Sequence, residues 1–268
     1  MNANASALRQ SVRPNRTALT LSVVVVSTLA WALLAWAGED FNHHGLGGQH
    51  EHVGDRPILR AYLTVTLGWM VMVVAMMLPP ALPMLDLMGR LVARHRRRRL
   101  LIGSAVAAFI AVWTVTGIAL VAGDGMLHRV ADRVDWVATH QHVVAGSLLV
   151  MAGGYQFSPL KDACLRACRT PRGFAVEHWR GRRPAWMEAV SVSGAYAVSC
   201  VGCCWALMTV SFAVGVAALP VMVALAGIMA TERLTTWGRK LVRPVGLLLI
   251  VGGCVAIAGG LPDSVLAG

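Results

Sequence analysis

Acidic side chains are scarce in this 268-residue chain: 13 Asp and Glu stand against 24 Lys and Arg, and charged residues of both signs make up only 14% of it. The few carboxylates are also poorly placed for catalysis or proton coupling. Asp86, Asp124, Glu188 and Glu232 all fall near the ends of apolar stretches, whereas a proton-driven carrier needs ionisable groups inside the membrane. The sequence shows no Ser/His/Asp arrangement, no phosphate-cradling glycine loop and no His-Glu-x-x-His motif, so no enzymatic reaction is assigned. It contains no repeat of fixed period.

What fills the chain is apolar: 56% of its residues are hydrophobic, with a mean hydropathy of +0.61. That composition describes a polytopic membrane protein without a soluble domain. A spanning helix needs about 20 apolar residues, and six regions qualify, near 18–37, 61–80, 100–122, 141–157, 189–230 and 244–262. The fifth is too long for one crossing. Ala217-Ala218-Leu219-Pro220 can turn, which predicts helices near 189–214 and 219–236. The expected architecture is an all-α bundle of seven spans forming one domain over 18–262, between a tail at 1–17 and another at 263–268. The first span is too long for a signal peptide, whose apolar part is about 7–15 residues, and Trp31 and Trp36 read as interfacial anchors.

Basic residues collect in short cytoplasmic loops, and here they divide cleanly. With the N-terminus inside, the inner segments hold Arg9, Arg13 and Arg16; Arg90, Arg94 and Arg96 to Arg99; Lys161, Arg166, Arg169, Arg172, Arg180, Arg182 and Arg183; and Arg233, Arg239, Lys240 and Arg243, twenty of the 24. Only Arg56, Arg60, Arg129 and Arg133 fall outside. This pattern predicts a cytoplasmic N-terminus and an outer C-terminus in the cell (inner or plasma) membrane, with the lipid bilayer as the first partner. It also accounts for the net charge of +11 without nucleic acid, which such an excess would otherwise suggest.

Sulfur marks the candidate site. Cys200-Val201-Gly202-Cys203-Cys204-Trp205-Ala206-Leu207-Met208 lies within the fifth span, and Cys200, Cys204 and Met208 recur at four-residue spacing on one helical face. The second span carries Met70, Met72, Met76 and Met77 before Pro79 and Pro80, prolines expected to end that helix at the inner interface. Thiolate and thioether together favour Cu(I), since Zn(II) takes thioether poorly. For Cu(I) to be shared between the two helices, sulfurs of Met76 or Met77 must come within about 5 Å of those of Cys203 or Cys204, metal–sulfur bonds being about 2.3 Å. A third sulfur pair, Cys164 and Cys168, follows Pro159, which predicts a short interfacial helix with both thiols on one face. Lys161, Arg166 and Arg169 are expected to favour the thiolate of this pair. Methionine and free cysteine are equally ordinary core fillers.

Histidine divides the other way from arginine. His43, His44, His50, His52, His128, His140 and His142 lie outside, leaving His95 and His178 within. His43, His44, His50 and His52 sit in a glycine-rich loop suited to zinc, nickel or Cu(II), or simply to solvation. His140 and His142, two residues apart, are expected to diverge by about 200° on a helix, against haem ligation.

Trp69, Met70, Ala75, Met76, Met77 and Pro79, then Tyr155, Gln156, Pro159, Leu160, Lys161, Cys164 and Cys168, then Cys203, Cys204, Trp205, Leu207 and Met208, and finally Glu232, form a pattern over roughly 60–245. It resembles that of the predicted metal-binding integral membrane proteins catalogued as domain of unknown function 2182. The resemblance implies a multispan protein that binds metal, and it does not extend to the outer His-rich loop. Two readings follow: a non-catalytic handler or transporter of Cu(I), working with a metallochaperone or membrane complex, and an assembly or scaffold protein whose sulfurs only pack.

Overall fold

The computed structural model describes residues 3–36, 58–131, 133–134, 139–179, 181–214 and 219–259. The chain is all-α, as its composition requires, with no strand among the described residues. Their helices are α1 (Ala3–Trp36), α2 (Ile58–Leu91), α3 (Arg98–Ala131), α4 (Gln141–Gln156), α5 (Pro159–Arg169), α6 (Pro171–His178), α7 (Ala185–Val214), α8 (Leu219–Leu234) and α9 (Arg239–Ile257). Five of them contain segments long and apolar enough to cross a membrane: Ala18–Trp36, Leu63–Leu91, Arg98–Gly123, Ala185–Ser211 and Arg239–Ile257. α4 and α5 meet that standard only as a pair, bent by 63° at the break between them. α8 has 16 residues, about 24 Å of helix at ~1.5 Å per residue.

The prolines of α2 do not end it. The helix continues to Leu91 with Pro79, Pro80 and Pro83 inside. Proline at 79 removes the N–H that would bond the Ala75 carbonyl one turn back. The buried Ser27 hydroxyl of α1 donates to that carbonyl instead, at 2.8 Å. A neighbouring helix thus satisfies the freed acceptor, which is how helices in an apolar medium tolerate proline.

Small residues set a close helix contact. α4 and α9 meet through Gly146 against Gly253 and Gly153 against Gly246, where an added Cβ on either α4 glycine would stand 2.7 Å from the facing carbonyl oxygen. Close backbone approach of this kind replaces the hydrophobic drive that lipid cannot supply. α2 and α3 are locked by the Trp69 indole, which donates to the Trp113 carbonyl at 3.1 Å and lies over Gly117. At the centre stands α7, packed against α3, α4, α5, α6 and α8. Its buried residues Val192, Tyr196, Cys200, Cys203, Cys204, Leu207, Met208 and Ser211 follow the three-and-four spacing of one helical face, so the cysteines are carried into the interior.

Candidate metal centre

Cys200, Cys203 and Cys204 occupy one inward face of α7, where the thiols of Cys203 and Cys204 donate to the Cys200 carbonyl at 3.1 and 3.0 Å. Two other helices bring sulfur to them. α5 begins where the Ser158 hydroxyl accepts from the Lys161 N–H at 3.1 Å, with Pro159 in the first turn. Its inner face of Lys161, Leu165 and Cys168 is buried. Cys168 Sγ thereby comes to 3.7 Å from Cys203 Sγ. From α2, the Met77 thioether accepts from Cys204 Sγ at 3.6 Å, inside the separation that metal sharing between the two helices demands. All six cysteines of the chain are free thiols.

α8 contributes the charge. Arg233 Nη2 donates to Cys200 Sγ and Cys203 Sγ at 2.9 Å each, to Cys204 Sγ at 3.3 Å and to the Cys200 carbonyl at 3.0 Å. Beside it, Glu232 Oε2 pairs with Lys161 Nζ at 2.8 Å, with side chains 2% and 1% exposed. The Arg169 guanidinium donates to the carbonyls of Glu232 and Thr236 at 2.6 and 3.2 Å, tying α5 to α8 a second time. Among the described residues no three or more His, Cys, Asp or Glu side chains stand ready-arranged around a metal position. The guanidinium nitrogen takes the space between three of the thiols.

The cations expected beside Cys164 and Cys168 are therefore engaged elsewhere. Lys161 goes to Glu232, Arg166 to Asp162, and Arg169 to the carbonyls of Glu232 and Thr236. Arg166 and Asp162 lie on the outer face of α5, where Arg239 also reaches Asp162 at 2.7 Å. The cation that does meet the thiols is Arg233, which reads in the sequence as one more inner-loop arginine. Its signal was the stripe Met222, Leu225, Met229, Glu232 and Arg233, all buried: a charged pair prolonging an apolar face at helical spacing. Lys161 and Arg233 are thus buried, not loop residues among the twenty inner-side cations.

Cys164 is half-buried and stands at the edge of the cluster, against Gly202 next to Cys203; the Gly202 carbonyl accepts from the Tyr155 hydroxyl. The remaining sequence candidates are dispersed. Met70 accepts from Thr114 Oγ1 of α3 at 3.3 Å. Met76 lines a cleft with Trp31 and Pro79, between α1, α2 and α8. Met208 is buried one turn beyond Cys204. His43, His44, His50 and His52 lie outside the described residues. His140 precedes the first turn of α4, so its ring lies 5.8 Å from that of His142 and does not diverge as two helical positions would. At the start of α7, buried Glu188 accepts from the N–H groups of Arg182 and Arg183 at 3.2 Å each, anchoring the preceding loop.

Comparison with protein families matches residues 66–256 to a family model, PpoB2, described as copper chaperone. The matched stretch overlaps the region that carries the resemblance noted above and contains every sulfur and charged group of the cluster. Searches of curated proteins and of solved structures each found no match.

Proposed function

Because the chain belongs to the PpoB2 family of copper chaperones, we propose that its buried sulfur cluster binds Cu(I) as cargo, through Cys168, Cys200, Cys203, Cys204 and Met77. The observation that carries this reading is convergence. Sulfurs from α5, α7 and α2 meet at 3.7 and 3.6 Å in a buried interior, an approach that metal sharing between helices requires and packing alone does not. A donor set of thiols and a thioether suits Cu(I) better than Zn(II) or a harder ion. The protein acts without catalysis, holding copper in the membrane for a metallochaperone or membrane complex. The His-rich loop at 43–52 precedes the matched residues, so the proposal does not rest on zinc, nickel or Cu(II) there.

Protein purified in detergent under reducing conditions is expected to hold about one Cu(I) per chain against a competing chelator such as bicinchoninate. Failure to retain Cu(I) under those conditions returns the sulfurs to packing and leaves a scaffold role.

The same reading includes seven crossings with the N-terminus inside, supported by the division of basic residues. The short α8 then crosses with its buried face against α2, α7 and α9. A reporter fused after Gly268 is expected to report an outer location. A cytoplasmic signal would mean that α7 and α8 do not make two crossings or that α9 does not span.

A further inference from the structure

We infer that Arg233 is the buried counter-charge of the bound metal complex and makes the cluster select a soft monovalent ion over a soft divalent one. The inference rests on the cluster being the metal site, as proposed above. Its starting point is a charge left over in the interior. Lys161 and Glu232 cancel one another at 2.8 Å. Arg233, 5% exposed, spends Nη2 on Cys200, Cys203 and Cys204, while Nε and Nη1 have no hydrogen-bond partner among the described residues. A buried guanidinium that remains charged needs an anion close by, and the groups within reach are thiols.

The sign of the complex then decides which metal fits. Cu(I) held by two thiolates carries one net negative charge, which Arg233 neutralises. A thioether added as a third donor, such as Met77, leaves that balance unchanged. A divalent ion on two thiolates is neutral and leaves the guanidinium uncompensated. Three thiolates restore neutrality for a divalent ion, but such ions favour four ligands, and the fourth sulfur at hand is either a poorly bound thioether or Cys168, whose thiolate overshoots to net negative charge. In a low-dielectric interior these mismatches are weakly screened.

Ag(I) and Cd(II) test this, since both are thiophilic and inert to redox; they differ in preferred ligand number as well as in charge, and the change in each affinity on replacing Arg233 isolates the part due to charge. Chelator competition is run on the full-length protein in detergent with each ion alone, for wild type, Arg233→Gln and Arg233→Lys. Wild type is expected to prefer Ag(I). Arg233→Gln is expected to lose at least about tenfold in Ag(I) affinity, as when a group supporting the ligands is removed, while Cd(II) affinity holds or rises. Arg233→Lys keeps the wild-type order. A merely structural Arg233 would lower both affinities together, and equal losses, or no change in either, overturn the inference. Wild type that takes Cd(II) as readily as Ag(I) overturns it even when Arg233→Gln fails to fold. Wild type that binds neither ion removes the cluster as a metal site, a different failure from that of selectivity.

Discussion

Replacing Cys203 and Cys204 together by serine is expected to abolish Cu(I) binding, a loss of more than about 100-fold in affinity, beyond what changes outside the ligand set cause. Cys203 is the sulfur that meets Cys168 of α5, and Cys204 is the one that meets Met77 of α2. Losing both separates the helices chemically. Hydroxyl oxygen is a hard donor and does not stand in for thiolate toward Cu(I). The fold is expected to survive, because α7 already accommodates fully buried Ser211, whose hydroxyl donates to the Leu207 carbonyl one turn back. Serines at 203 and 204 have the Cys200 carbonyl available in the same way. Chelator competition gives the affinity, and gel filtration in detergent checks the fold. A well-folded double variant that keeps wild-type affinity places copper elsewhere, at Cys164, Met70 or Met208.

Glu232→Ala is expected to be the most destabilising single change near the site, at about 3–5 kcal/mol. It leaves the Lys161 ammonium, 1% exposed, with its partner gone, and a buried charge without its counter-ion is costlier than the pair was worth. Lys161→Met strands Glu232 in the same manner. The double variant Lys161→Met with Glu232→Leu removes both charges and is expected to lie closer to wild type than either single change. Unfolding of the three purified variants in denaturant, compared with wild type, checks this. Glu232→Ala matching wild type in stability would show that water reaches the pair and that α5 is held to α8 by Arg169 and packing.

The class of the fold was legible in the chain because apolar run length and three-and-four periodicity are local properties. Five of the seven runs form helices long and apolar enough to cross a membrane, and the spacing of Cys200, Cys204 and Met208 places them on one face of α7. The helix after Pro159 was equally local, since Ser158 and Pro159 are adjacent in sequence and cap it directly. The combination of thiol and thioether pointed to soft-metal chemistry, the family resemblance implied metal binding, and the copper-chaperone match covers the same region.

What the sequence left open was orientation and partnership across long separations. Four methionines crowd α2 between 70 and 77, yet Met70 faces Thr114 of α3 and Met77 faces Cys204 of α7. The rotation of α2 is set by its neighbours, including the Trp69 contact with α3. Pro79 reads as a helix end until Ser27, 48 residues earlier in the chain, supplies the missing donor to Ala75. Arg233 counts as a loop cation until α8 packs against α7 and delivers it to three thiols. Local sequence decides whether a segment is helical and which of its residues share a face. Which face turns inward, and which charge meets which sulfur, depends on helices far apart in the chain and is decided only when they pack.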